Sequence, residues 1–163
     1  MRSLRLIVLA AWLGAILFFA IGVPQTAFDV LRHVEGGRSL AGDIVGRSLA
    51  ILHYMGVACA ILYVLISKRP PPPTPGASAL SMLTPAIPLA ARLVLLMMAL
   101  SIISLGISKR MKMIDSESLY ETEAETETAR LEFRRLHTAS TAAEGIILVL
   151  GATALVVESR RRH

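Results

Sequence analysis

Four apolar blocks dominate the sequence, and each is long enough to cross a lipid bilayer. A transmembrane helix needs about 20 apolar residues to span about 30 Å of hydrocarbon. Because backbone groups inside lipid must be hydrogen-bonded within the segment, such blocks are predicted to be helices. We place the spans at about 6–28, 48–67, 88–108 and 137–157. The blocks predict an all-α integral membrane protein, a single domain folded as an antiparallel four-helix bundle.

The composition fits a membrane protein and argues against a nucleic-acid-binding one. Hydrophobic residues make up 54% of the chain and charged residues 18%, whereas soluble domains carry about 45–50% and about 25%. The net charge is +5, but the basic residues flank apolar blocks, as anchors at a membrane surface do. No basic module with interleaved aromatic residues is present, so nucleic acid is not an expected partner. The single cysteine, Cys59, excludes an internal disulfide.

The first block begins like a signal peptide, because Arg2 and Arg5 precede an apolar run. That run is longer than the roughly 7–15 residues of a signal h-region, and no convincing A-x-A cleavage site follows it. We therefore expect the segment to be retained as span one. Pro24 is expected to kink or end its helix.

Three connecting segments separate the blocks. The stretch VEGGRSLAGDIVGR is rich in glycine and is predicted to be a short loop or interfacial turn. The proline-rich segment 70–76 is predicted to be a stiff extended linker, with docking to an aromatic groove of a partner as the alternative. The acidic segment 115–127 is predicted to be a solvated extramembrane face. Ser118 and Glu121 have capping-box spacing, which predicts a helix from near Leu119 into span four.

Small residues recur at four-residue spacing in several spans, a pattern that favours close helix packing. The pairs are Ala10/Gly14, Ala11/Ala15, Gly56/Ala60 and Thr141/Gly145.

Lys and Arg residues are nearly balanced between the two sides of a four-span protein. Arg2, Arg5 and the Arg160–Arg162 cluster flank their spans most directly, so we predict that both termini are cytoplasmic. The expected location is a bacterial cytoplasmic membrane.

Polar residues within the apolar blocks are the candidate functional residues. A charge at the middle of a span costs roughly 2.5–3.5 kcal/mol, so such a residue usually faces a partner or a cavity. Glu144 lies about 10 Å into span four and His53 about 9 Å into span two. Because these spans run parallel, we predict that His53 and Glu144 meet. Tyr54, Thr141 and His137 are predicted to complete an intramembrane polar cluster.

Three interpretations of this cluster compete. In the first, the cluster is a structural lock between spans two and four. In the second, it is a functional site for haem, metal or protons. In the third, Glu144 faces lipid headgroups, water or another subunit. For haem, His53 and His137 differ in depth by about one and a half turns, an awkward arrangement for two axial ligands. For a metal, the sequence offers donors without diagnostic spacing: His33, His53, His137 and Glu144.

Three stretches resemble a known family: AWLGAILFFAIGVPQTAF, AGDIVGRSLAILHY and FRRLHTAS. They are similar to a small four-span membrane family known in bacteria as a domain of unknown function, whose eukaryotic members are called transmembrane protein 205-like. The most specific piece is the run Phe133, Leu136, His137 and Ser140. Glu144 stands where similar proteins usually have an amide, and the proline often seen after span three is missing. The resemblance implies a four-span fold but no agreed activity.

No nucleophile–base pair or phosphate-binding loop is visible, so an enzyme is not expected. We predict a membrane protein that acts by contact, as an accessory subunit of a larger complex or by self-association. The alternative is a carrier or binder of a metal ion, haem or small solute, and a looser likeness to copper-resistance membrane domains implies the metal.

Overall fold

The structure, a computed structural model, describes residues 2–67, 88–116 and 123–160. The described residues form four helices: α1 (Arg2–Val30), α2 (Gly37–Ser67), α3 (Leu89–Ser116) and α4 (Glu123–Arg160). At about 1.5 Å per residue, these helices measure about 42 to 57 Å, which exceeds the thickness of the hydrocarbon layer. Each is long and apolar enough to cross a membrane. The predicted all-α class with four apolar helices is confirmed.

Helix α2 begins much earlier than predicted. Residues 37–47, which we expected to lie in a loop or interfacial turn, form its first turns. The glycines in this stretch lower helix propensity by about 1 kcal/mol each, but packing routinely overrides propensity. Here Ala41 is fully buried against the rest of the bundle. The prediction was wrong because the sequence does not reveal this packing.

The connection between α1 and α2 is a tight turn over residues 31–36. The amide of Val34 donates to the Leu31 carbonyl at 3.1 Å, and that of Gly37 donates to the Val34 carbonyl at 2.9 Å. Gly36 has a φ of 68°, a left-handed conformation that costs glycine nothing because it has no Cβ. The short turn makes α1 and α2 antiparallel neighbours.

Pro24 does not end its helix, because α1 continues to Val30. A membrane helix tolerates proline where neighbouring groups satisfy the freed backbone carbonyl.

The acidic segment is helical as far as the structure describes it. Helix α4 begins at Glu123 and runs without a break to Arg160, which confirms that a helical extension leads into span four. Three predicted features lie outside the described residues: the Ser118/Glu121 cap, the proline-rich linker 70–76 and the final arginines, Arg161 and Arg162.

The four helices pack in a closed ring. Neighbouring pairs are α1 with α2, α2 with α3, α3 with α4, and α4 with α1. Helices α2 and α4 therefore lie diagonally across the bundle axis. Arg5 near the start of α1 contacts Glu158 near the end of α4, so the first and last helical turns share one end of the bundle.

Inward-facing apolar side chains fill the centre of the ring, with Leu9, Val94, Met97 and Ile147 almost completely buried. Large apolar side chains also cover the outside, and they include Ile7, Phe18, Ile21, Leu65 and Val149. A soluble monomer rarely exposes so much continuous apolar surface, whereas a membrane helix presents such residues to lipid.

The small-residue pairs differ in burial. Gly56 and Ala60 are buried inside the ring, in agreement with their predicted packing role. Ala10, Gly14, Thr141 and Gly145 lie on the outside, so these two pairs do not pack helices of this chain together. In the fourth pair, Ala11 is exposed and Ala15 is partly buried against the core.

Candidate functional site

His53 and Glu144 meet inside the bundle. The Nε2 atom of His53 lies 3.0 Å from Oε1 of Glu144, and the side chains are 2% and 19% exposed. The atoms are close enough for an ion pair, but the contact is not aligned as a hydrogen bond. A polar partner at this distance offsets part of the cost of keeping either side chain in a nonpolar environment.

Helical spacing aims both residues at the bundle axis. On α2, His53 shares an inward stripe with Gly56, Ala60 and Tyr63. On α4, the inward stripe includes Ser140, Ile147, Ala154 and Glu158. Residues three, four or seven apart lie on one face of a helix. Because α2 and α4 are diagonal, the contact crosses the middle of the ring.

Buried serines lie near this pair and were not singled out from the sequence. Ser101, Ser104 and Ser140 are almost completely buried. Met97 packs against Gly151 and Arg110 pairs with Glu132. This register of α3 on α4 brings Ser104 level with Ser140 and Ser101 level with Glu144. Among the residues that the structure describes, the Ser104 hydroxyl has no hydrogen-bond partner. We call His53, Ser104, Ser140 and Glu144 the inner polar layer.

The structure does not bring the other predicted members into this layer. Tyr54 is 58% exposed on the outside of α2, since one residue along a helix turns the side chain by about 100°. Thr141 is exposed and donates to the His137 carbonyl of its own helix at 3.0 Å. His137 is also exposed, and its ring stacks on Phe133 with centroids 6.5 Å apart. The predicted cluster is thus reduced to His53 and Glu144.

A second polar contact joins three helices at the end that carries the chain termini. Arg5 Nη2 lies 3.0 Å from Oε1 of Glu158, and the Tyr63 hydroxyl donates to Oε2 of Glu158 at 2.9 Å. The Glu158 side chain is 0% exposed. Arg2 adds a further tie, because its guanidinium donates to the backbone carbonyl of Ser159. We call Arg5, Tyr63 and Glu158 the terminal polar layer.

Sequence reasoning missed the terminal polar layer, although a signal was present. Neither Glu158 nor Tyr63 was among the predicted site residues. In a four-span topology, the start of span one and the ends of spans two and four share one side. Arg5, Tyr63 and Glu158 occupy those three places, so matching polar residues at span ends would have found the layer.

The two layers lie four helical turns apart along α4, about 21 Å. Tightly packed apolar residues separate them. A Cβ atom on Gly56 would lie 2.7 Å from Nε1 of Trp12, and one on Gly151 would lie 2.9 Å from Cε of Met97. These glycines let large side chains reach the neighbouring backbone. Two cavities instead open on the outer surface of α4, lined by residues such as Thr126, Arg130, Leu131 and Arg135.

The residues available to a metal can be stated for the part of the chain that the structure describes. There, His, Cys, Asp and Glu side chains form no group of three that could hold an ion. His53 and Glu144 supply two donor atoms, whereas His33 and His137 are exposed elsewhere. A metal at the inner polar layer would need further ligands from serine hydroxyls or water.

Comparisons with protein-family models, with curated proteins and with solved structures found no match to this chain. The resemblance to the four-span family therefore stays a prediction.

Proposed function

We propose that this protein is a non-catalytic accessory subunit of a larger membrane complex, and that it acts by contact. In this proposal the two polar layers hold the bundle in one arrangement, and the extramembrane start of α4 carries the surface that binds the partner. We call residues 123–135 the α4 extension. The order of charges along the exposed surface of this extension carries the proposal.

The charges are segregated along the extension. Glu125 and Glu127 are exposed in its first turns, and Arg130, Arg134 and Arg135 are exposed closer to the apolar span. Arg110 of α3 pairs with Glu132 at 3.0 Å, which supports the extension from one side. Leu131 and Phe133 add exposed apolar surface between the charges. A surface that mixes charge order with apolar contacts suits recognition of a specific partner.

The same order favours a different protein over a second copy. Two copies with one orientation in the same membrane would place their α4 extensions in parallel, so acids would meet acids and arginines would meet arginines. Like charges in contact oppose association. A fitting partner carries basic residues farther from the membrane and acidic residues near it. We therefore favour an accessory subunit over self-association.

The test is native mass spectrometry of the tagged protein, purified in mild detergent from its own membranes. We expect a second protein in stoichiometric amount. Glu127→Lys should reduce its recovery, because the change reverses a charge at the tip of the extension. Glu35→Lys is the matched control, since Glu35 is an exposed acid in the α1–α2 turn. A bare bundle, or a complex of identical copies only, would contradict the proposal.

A second candidate function is the binding of a metal ion, haem or small solute at the inner polar layer. It is favoured by the buried atoms His53 Nε2 and Glu144 Oε1, which lack an aligned hydrogen bond, and by the buried Ser104 hydroxyl, which has no hydrogen-bond partner within the described part of the chain. An absorbance scan and metal analysis of the purified protein test it. Bound metal or haem that is lost in His53→Leu would favour this candidate.

A further inference from the structure

We propose that the end of the bundle that carries the chain termini is a binding surface for anionic phospholipid headgroups. Arg2, Arg92 and Arg160 on α1, α3 and α4 are its described charges, and we call this surface the terminal face. Because α4 packs against both α1 and α3, these helices form one continuous side of the ring. The ligand is the phosphate of a lipid headgroup.

The terminal face presents positive charge almost without compensation. The one acid at this end among the described residues is Glu158, and its carboxylate is fully buried against Arg5 and Tyr63. The negative charge is therefore neutralised inside the bundle, where a lipid headgroup does not encounter it. What remains at the surface is guanidinium.

Arg92 and Arg160 are exposed, and in the described parts of the chain neither forms an ion pair with a carboxylate. The opposite end of the bundle is different. There, Arg110 pairs with Glu132 at 3.0 Å and Arg32 lies 3.9 Å from Asp29. The two ends thus differ in the signs of charge at their surfaces. The opposite end also exposes acids such as Asp29, Glu35 and Asp43, whereas the described surface charges of the terminal face are all positive.

The chemistry of the ligand follows from the position and shape of these groups. Residues next to a membrane-spanning segment lie at the depth of the headgroups, where each Lys or Arg near an anionic surface gains attraction. A guanidinium also matches the oxygens of a phosphate with two parallel N–H donors. Arg160 lies in the last turn of α4, where a cation also favours the helix C-terminus. Because Arg160 is exposed, its guanidinium N–H groups are available to lipid.

The experiment uses full-length protein that has been delipidated in detergent and then mixed with equal amounts of phosphatidylglycerol and phosphatidylcholine. Native mass spectrometry counts the retained lipids of each kind. We expect the anionic lipid to be preferred, and Arg92→Gln/Arg160→Gln to lower that preference by about fivefold for each arginine removed. The control is Arg38→Gln/Arg47→Gln, which removes the same charge from exposed arginines at the opposite end.

Equal retention of both lipids by the wild-type protein would overturn the proposal. An equal loss in both double variants would also overturn it, because the preference would then follow total charge. If Arg92→Gln/Arg160→Gln does not fold, Arg92→Lys/Arg160→Lys retains the charges. The lysine variant should keep the anionic preference, although it loses the paired donors, and complete loss of preference in a folded lysine variant counts against charge as the cause.

Discussion

His53 and Glu144 are each costly in a nonpolar environment when alone, and their contact across the bundle axis offsets part of that cost. Removing one partner leaves the other buried, which typically costs about 3–5 kcal/mol, whereas replacing both with apolar residues is often nearly neutral. The stability of the protein therefore depends on whether His53 and Glu144 are both present or both absent, more than on the strength of one bond. Ser104 and Ser140 are further buried polar side chains of this layer.

We expect Glu144→Gln and His53→Leu each to lower thermal stability in detergent, because each leaves an uncompensated buried group. The variant His53→Leu/Glu144→Leu should recover most of the loss. Thermal unfolding of the three variants measures the coupling between the two residues. Single variants with wild-type stability, or strictly additive effects, would show that the residues do not interact.

Tyr63→Phe should destabilise the protein by about 1.5–3 kcal/mol, because it removes a buried hydroxyl that donates to a carboxylate. Tyr54→Phe is the matched control on the same helix, since Tyr54 is exposed, and a surface change of this kind stays within about 0.5 kcal/mol. Unfolding of both variants in detergent gives the comparison. Equal stability of the two variants would show that the hydrogen bond from Tyr63 to Glu158 does not stabilise the bundle.

At the residue scale, the sequence predicted how deep a residue lies in its span better than which way its side chain points. The rise per residue fixes how far His53 and Glu144 lie from the ends of their spans, so their meeting could be predicted. The side of the helix that faces inward depends on packing partners, and Tyr54, Thr141 and His137 all face outward. Glu158 was missed because its acidic side chain sits next to a run of arginines.

At the scale of elements, glycine positions allow the close packing between the two polar layers. The Trp12 ring lies where a side chain at position 56 would stand, and Leu13 and Met97 occupy the corresponding space at Gly151. The predicted role of Gly56 in packing depends on this indole of α1. The α4 extension is different. Its helix runs without a break into span four, but few of its residues are buried.

Gly56→Ala should lower stability by about 1–3 kcal/mol, because the added methyl overlaps the Trp12 indole and overpacking costs that much. Gly145→Ala is the control, since a Cβ there meets nothing within 4 Å and alanine favours the helix. Thermal unfolding of both variants tests the contact. A stabilised Gly56→Ala protein would mean that the indole does not rest on this backbone.

Within the α4 extension, residues 127–135 should be protected from amide hydrogen exchange beyond the labelling dead time, whereas the first four amides of a helix have no intrahelical partner. The reason is that an unbroken helix satisfies the amides of residues 127–135, and Arg110 holds the extension through Glu132. Exchange followed by mass spectrometry on the assembled protein gives the protection of each peptide. Complete exchange within the dead time across this segment would contradict a folded extension.

At the scale of the whole molecule, four apolar helices form a ring with its first and last turns at one end. The number and type of helices could be predicted because each block satisfies the length and hydropathy that lipid demands. Which helices lie diagonally across the ring could not be predicted, since short loops fix neighbours but not the closing contact. Arg5 and Glu158 supply that contact here.

We predict that the chain crosses the membrane four times, with both termini on one side. Topology reporters fused after His163 and inserted beside Glu123 test it most directly, because one helix, α4, separates the two positions. We predict opposite locations, with the reporter at His163 in the cytoplasm. Inverted signals would contradict only the orientation, whereas equal signals at both positions would contradict the four-span bundle itself.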